Sequence, residues 1–105
     1  MIARTWTART TREHAPRYAE YLRTHVFAGL HALEGYDHAV LLTRDTPDAV
    51  EVQVITFWRS PEAIAAFSGT DLEAAVVTDT AAALLTSYDR RAKHFEVVLS
   101  DYLGG

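Results

Sequence analysis

Hydrophobic and polar positions along the chain follow two different periods, and their alternation predicts the order of the secondary-structure elements. Four stretches are rich in β-branched and aromatic residues, in part with an in–out alternation that is typical of strands. These predicted strands are residues 2–9, 36–44, 50–58 and 93–100. Apolar positions instead recur at helical spacing from Tyr18 to Leu33, and shorter helical patterns follow the third strand as far as Leu85. The predicted order is therefore β-α-β-β-α-β.

The clearest local signal is the junction between the third strand and the helix that follows it. Ser60 is a good acceptor for free amides at a helix start, Pro61 fits the first helical position, and Glu62 suits the positive helix end. Gly69 supplies a stop. Val50–Gly69 is thus predicted to run from a strand directly into a short helix.

This order predicts a single α+β domain over residues 1–105, with residues 101–105 as a loose C-terminal tail. It matches the ferredoxin-like split βαβ plan with an antiparallel sheet, in which the fourth strand lies beside the first and the second lies at the opposite edge. Helices cover one sheet face only. Because the Val50–Trp58 strand carries apolar residues at both parities, we expect a second subunit to cover the other face. The sequence therefore predicts a homodimer joined through its sheets.

Composition and charge exclude several classes of partner. Hydrophobic residues make up 49% and charged residues 23%, which is typical of a globular protein. A formal net charge of −4 gives no electrostatic reason to expect nucleic acid or anionic membranes as partners. The absence of cysteine excludes disulfides and thiolate chemistry. Neither a secretory signal nor a run of about 18 apolar residues is present, so we expect a cytoplasmic protein without membrane contact.

The run from Phe57 to Ile64, followed by Phe67 and Gly69, resembles the antibiotic biosynthesis monooxygenase family, as does the ending His94–Val98. The resemblance covers nearly the whole chain. It implies a dimeric α+β barrel and a small monooxygenase that oxidises an aromatic, polyketide-like substrate with O2 and no cofactor. The same scaffold also carries isomerases and cyclases. These, and a non-catalytic ligand-binding or interaction module, remain as alternatives.

The haem-degrading branch of that superfamily implies three functional positions, and this chain departs from each. An asparagine is looked for late in the first strand, where Thr5, Trp6 and Thr7 stand, and the whole chain has no asparagine. Phe67 occupies the place of a tryptophan, and the place of the haem-binding histidine falls near Val76. The expectation is therefore a protein without haem or another cofactor.

Candidate site residues follow from the expected space between helix and sheet. His25 and His38 are the candidate general bases, since imidazoles titrate near neutral pH. The candidate substrate-binding residues are Arg4, Trp6, Tyr21, Tyr36, Trp58 and Phe67. No metal site is expected: His38 and His94 would lie on opposite edge strands, about 14 Å apart at three inter-strand steps. His38 is expected to share a sheet face with Tyr36, Val40 and Leu42.

Overall fold

The computed structural model describes residues 1–102, so residues 103–105 of the predicted tail lie outside it. The elements are β1 (Ile2–Thr10), α1 (Ala15–Tyr21), α2 (Ala28–Leu30), β2 (Tyr36–Asp45), β3 (Val50–Trp58), α3 (Pro61–Ser68), α4 (Asp79–Leu84), β4 (Ser87–Tyr88) and β5 (Lys93–Glu96). A π-helical stretch, Leu22–Phe27, joins α1 and α2 into one continuous helix. The predicted α+β class is confirmed. None of the helices in these 102 residues is long and apolar enough to cross a membrane.

All strand pairs are antiparallel, and the sheet has the predicted ferredoxin-like order. β2 forms one edge and pairs with β3, β3 pairs with β1, and the far side of β1 pairs with both β4 and β5. The last strand ends at Glu96, earlier than the predicted Ser100, and the two-residue β4 has no counterpart in the prediction. β1 and β3 are therefore the two central strands, each with neighbours on both sides.

Alternation along β1 separates a helix-covered face from an open face. Arg4, Trp6 and Ala8 are buried beneath the helices. Thr7 and Arg9 occupy alternate positions on the other face and are exposed. The even-numbered residues of β3 pair with the even-numbered residues of β1, so they share the covered face. This face, packed against the helices, forms the core of the protein.

A bulge at the start of β2 overturns one expectation. Tyr36 pairs with Trp58, but His38 pairs with Phe57, and the register shifts between them. Tyr36 packs edge-on against Trp58 on the covered face, with ring centroids 5.4 Å apart. His38 lies on the open face, stacked on Phe57 at 4.3 Å. The expectation that Tyr36 and His38 share a face is therefore wrong, because a bulge changes the side-chain parity within one strand.

The predicted junction after β3 forms as its sequence indicates. The Ser60 hydroxyl accepts a hydrogen bond from the Ala63 amide at 3.2 Å, and Gly69 ends α3 with a φ of 84°. Gly35, at the end of the long helix, also has a positive φ, and a Cβ there would lie 2.5 Å from the Cβ of Ala63. Only glycine lets that turn pack so closely against α3.

The segment between α3 and α4 has no helix at residues 71–76, although helical patterns were predicted to follow the third strand as far as Leu85. Its backbone amides bond elsewhere: the Ala75 amide donates to the Arg90 carbonyl at 3.0 Å, and Ala74 bridges to Arg91. Pairing with the C-terminal part of the chain therefore replaces helical bonds. Thr78 caps α4 instead, accepting from the Ala81 amide at 3.1 Å. The segment 69–78 lies across the covered face and forms one wall of the site described next.

Candidate functional site

A cavity of about 320 Å³ lies between the long helix, the covered sheet face and the segment 69–78. Its volume is near the lower end of the range of small-molecule sites, about 300–1,000 Å³. Most of the lining is aromatic or aliphatic. The lining residues are Arg4, Trp6, Tyr18, Tyr21, Leu22, His25, Val26, Phe27, Gly29, Leu30, Leu33, Val54, Thr56, Ala66, Phe67, Val76, Val77, Thr78 and Ala81. The shape and lining are those of a site for a small apolar molecule.

Five of the eight candidate site residues meet at this cavity, namely Arg4, Trp6, Tyr21, His25 and Phe67. Trp6 is held in place because its indole N–H donates to the Asp89 carbonyl at 2.7 Å. Phe67 contributes one ring face to the Arg4 guanidinium, whose central carbon lies 5.3 Å from the ring centroid. The two aromatic side chains therefore offer rigid apolar walls around a charged group.

Arg4 is the charged residue of this cavity. It is 5% exposed, and its Nη2 donates to the Ala74 carbonyl at 2.6 Å. Burial lowers the pKa of Arg4, an effect that the charge of Glu73 partly offsets. The guanidinium remains charged at neutral pH, because an arginine pKa starts above 12. The cavity thus holds a fixed positive charge within an apolar lining.

His25 lies at the solvent-exposed side of the cavity on the π-helical stretch, and its neighbours fix its tautomer. The Thr24 hydroxyl donates its only hydrogen to the Glu20 carbonyl at 2.8 Å. The 2.8 Å contact between that hydroxyl oxygen and Nδ1 of His25 must then be donated by Nδ1–H. Neutral His25 therefore carries its proton on Nδ1 and an unprotonated lone pair on Nε2.

The ring of His25 is also held in position. It stacks on Tyr21, with centroids 5.2 Å apart and planes 12° apart. The Tyr21 hydroxyl in turn forms a 2.6 Å hydrogen bond with Thr78, which ties the helix to the opposite wall. A hydroxyl that bonds back to a carbonyl one turn earlier, as Thr24 does, is a known cause of helix distortion, and π-turns are frequent at functional sites. The local sequence therefore orients the imidazole of His25 at the cavity mouth.

Tyr18 and Thr56 also line the cavity, although the sequence singled out neither as a site residue. Tyr18 is 2% exposed, and burial raises the pKa of its phenol, so it stays protonated and can donate. Thr56 accepts a hydrogen bond from the Trp58 indole at 2.7 Å, which leaves its hydroxyl hydrogen free to donate. The helical spacing of Tyr18 does not distinguish it from a core residue. Thr56 can be recognised as a cavity residue only from its pairing with Arg4 across the sheet.

The other three candidates lie away from the cavity. Trp58 is fully buried in the core, stacked against Phe67 with its indole N–H bonded to Thr56. Tyr36 packs on Trp58. His38 lies on the open sheet face, where its Nδ1 forms a 2.6 Å contact with the Asp37 carboxylate. The structure therefore does not bring the two candidate bases together.

A larger groove of about 640 Å³ runs along the open face of the sheet. Its charged side chains neutralise one another: Glu51 contacts Arg44 at 2.7 Å and Arg9 at 3.5 Å. It therefore contains no buried group that requires a ligand. Residues 1–102 also contain no group of three or more histidine, aspartate or glutamate side chains arranged to hold a metal ion. The smaller, apolar cavity is the stronger candidate site.

No protein-family model matches the chain, and no curated protein matches it. Twelve chains among solved structures match it. One is the heme-degrader MhuD from Mycobacterium tuberculosis, solved with two hemes bound in its active site. It matches with a TM-score of 0.60 and 21% sequence identity, over 97% of this chain and 100% of that chain. At this identity the similarity shows the fold alone, and it supports the ferredoxin-like α+β architecture.

Proposed function

We propose that this protein is a cofactor-independent monooxygenase that acts on a small, flat aromatic molecule bound in the cavity. The observation that carries the proposal is the imidazole of His25, which Thr24 and Tyr21 hold at the mouth of an apolar, aromatic-lined cavity. A general base must lie within hydrogen-bond reach of an acidic proton, and histidine is the side chain that most often acts as a general base. The site thus combines a base with a surface that holds an aromatic ring.

The reaction balances without an external reductant. His25 removes a proton from an acidic ring CH2 or phenol, and the resulting electron-rich anion reduces O2 directly. For an anthrone-type CH2, one oxygen atom becomes the new carbonyl, and the other leaves as water with the two hydrogens of the CH2 group. Donors such as the Tyr18 hydroxyl and Arg4 would stabilise negative charge that develops on the ring oxygens.

Oxygen consumption in the presence of anthrone tests this reaction directly. We expect uptake of one O2 per anthrone, and one 18O atom in the anthraquinone formed under 18O2. Because a positioned base contributes about 10²–10⁴-fold, His25→Gln should lower kcat by that factor. His14→Gln is the matched control, since His14 lies at the start of α1 and its side chain makes no capping hydrogen bond.

Two outcomes would redirect the assignment. Turnover that continues without oxygen would replace the oxygenase with an isomerase or cyclase on the same scaffold. No turnover of any anthrone or hydroquinone, together with ligand binding, would leave a binding module. The presence of an open cavity already counts against a module whose helix–sheet space is fully packed by Trp6, Trp58 and Phe67.

Haem is a poorer fit to this cavity than a small aromatic molecule. The wall near the expected histidine position presents the apolar side chain of Val76, and the imidazole that lines the cavity, His25, lies on the long helix instead. Titration with hemin checks this point: we expect no shifted Soret band. A shifted band that disappears in His25→Gln would assign haem to the cavity and overturn our proposal.

We further propose that the protein acts as a homodimer. Leu42 and Phe95 are each about half exposed on the open sheet face, and Val98 and Leu99 just beyond β5 are almost fully exposed. Apolar side chains grouped on an uncovered sheet face favour an interface with a second copy. Light scattering after size exclusion should give twice the monomer mass of 11.7 kDa. Phe95→Glu should give the monomer, and a wild-type monomer at high concentration would refute the dimer.

A further inference from the structure

Arg4 carries a buried positive charge that forms no ion pair within residues 1–102. Among residues 1–102 it takes part in no ion pair, and its partners are the Ala74 carbonyl and the face of Phe67. The side chain of Glu73, whose charge acts on Arg4, is about half exposed and lies 3.8 Å from Arg91. An unpaired buried charge costs several kcal/mol even after relaxation. A protein that keeps such a charge beside a cavity is well suited to an anionic ligand.

Two buried polar atoms in the described part of the chain have no hydrogen-bond partner, and they belong to neighbouring residues. They are Nε of Arg4 and Nε2 of His94. Arg4 and His94 face each other across the β1–β5 pair, and Thr56 faces Arg4 from the β3 side. The result is a polar row across three adjacent strands, Thr56–Arg4–His94, on the covered face of the sheet. Buried polar groups without partners are rare, so this pair calls for an explanation.

The groups that reach the cavity at this row are hydrogen-bond donors. Arg4 offers the guanidinium hydrogens that do not bond to the Ala74 carbonyl, Thr56 offers its hydroxyl hydrogen, and Tyr18 offers a protonated phenol. Arginine has no acceptor. A cluster of donors around a fixed positive charge is complementary to an oxyanion, and the planar fork of the guanidinium matches the two oxygens of a carboxylate.

We propose that the inner end of the cavity is a carboxylate subsite built on Arg4, and that the ligand is a flat aromatic carboxylate. Its carboxylate lies against Arg4 and Thr56, its rings contact Trp6 and Phe67, and its outer edge reaches His25. The identity of the reacting edge rests on the proposed function, but the carboxylate subsite does not. A carboxylate fits better than a phenolate here, because a ligand that already arrives as a phenolate would not need the base at His25.

Direct binding of 2-naphthoate, compared with its uncharged isostere 2-naphthamide, tests the subsite. Fluorescence of Trp6, which lines the cavity, or calorimetry gives the dissociation constants. A charge-assisted hydrogen bond contributes about 1.5–3 kcal/mol. We therefore expect naphthoate to bind about 10- to 100-fold more tightly than naphthamide. Benzoate and anthracene-2-carboxylate extend the series to smaller and larger rings.

Arg4→Met should abolish the preference for naphthoate over naphthamide, and Arg4→Lys should retain part of it. Arg17→Met is the matched control, because Arg17 is exposed on α1 and forms no ion pair within residues 1–102. It should leave both dissociation constants unchanged. Circular dichroism of each variant establishes that it is folded, and Arg4→Lys keeps the test valid if Arg4→Met fails to fold. Equal affinity for the two naphthyl ligands, an undiminished preference in Arg4→Met, or no binding of any of the three carboxylates would overturn the proposal.

The failure of the subsite and the failure of the proposed reaction can be told apart. Binding of naphthoate needs no oxygen. If naphthoate binds in an Arg4-dependent way but no anthrone causes oxygen uptake, the proposed reaction would be refuted and the carboxylate subsite would stand. If both hold, anthrone-2-carboxylate should have a KM about tenfold or more below that of anthrone, and Arg4→Met should remove this difference. If anthrone and anthrone-2-carboxylate are both oxidised with the same KM, and Arg4→Met does not change it, the proposed reaction would stand and the carboxylate subsite would be refuted.

Discussion

Replacement of Arg4 by methionine is expected to stabilise the ligand-free protein. The substitution removes a charge-assisted hydrogen bond to the Ala74 carbonyl, worth about 1.5–3 kcal/mol, and a cation–π contact with Phe67, worth about 1 kcal/mol. It also removes the burial penalty of an unpaired guanidinium, which is several kcal/mol. Methionine keeps an unbranched apolar stem in the same space. Against the loss of about 2.5–4 kcal/mol from the two contacts, a penalty of about 5 kcal/mol leaves a balance of about 1 kcal/mol or more in favour of the variant.

Thermal unfolding measures this difference. In a domain of this size, 1 kcal/mol corresponds to a change in Tm of about 4–8 °C. We expect a rise of this order in Arg4→Met, and a change within about 0.5 kcal/mol in the exposed control Arg17→Met. Addition of 2-naphthoate should raise the Tm of the wild type and not that of Arg4→Met. A loss of 1 kcal/mol or more on substitution would mean that Arg4 is a structural tie between β1 and the segment 69–78, and the reasoning above would be wrong.

Three further predictions concern the helix, the turns and pH. Thr24→Val removes the hydroxyl that contacts Nδ1 of His25, so kcat should fall, whereas Thr24→Ser should restore it. Gly29→Ala places a Cβ in open space within a helix and should add about 0.5–1 kcal/mol to the free energy of unfolding, whereas Gly35→Ala should lower it. Burial and the charge of Arg4 lower the pKa of His94 in the folded chain, so the unfolded chain binds this proton more tightly. Stability should be full above the unfolded pKa of about 6.5 and should fall as the pH drops below it, and the fall in Tm should be smaller in His94→Gln.

The fold could be predicted because its signals are local and agree with one another. The strand β3, the cap at Ser60 and the stop at Gly69 each depend on a few adjacent residues, and the structure reproduces all three. The segment 69–78 was harder, because its backbone bonds go to residues about 15 positions later in the chain. No pattern of adjacent residues predicts that pairing.

The candidate site was predictable only in part, for reasons that differ between residues. Once a cavity is expected between helix and sheet, strand parity predicts that Arg4 and Trp6 line it, and helical spacing predicts the same for His25. His38 depends on a bulge that the alternation of β2 does not reveal. Trp58 has the size of a ligand-stacking residue, but its 0% exposure and its bond to Thr56 assign it to the core. Tyr18 and Thr56 gain a role only from cross-strand and cross-layer neighbours.

Arg4 is a charged residue on a strand face that carries mostly apolar side chains. Ile2, Trp6 and Ala8 share the covered face of β1 with it, and the register of that strand is fixed because a slip of one residue would bury Thr5 and Thr7 in their place. A lysine or arginine on the open face would have left the fold intact. Natural sequences agree across local and global levels except where function requires otherwise. The charge that makes β1 less favourable as a core strand is therefore the best single indication that a ligand completes this core.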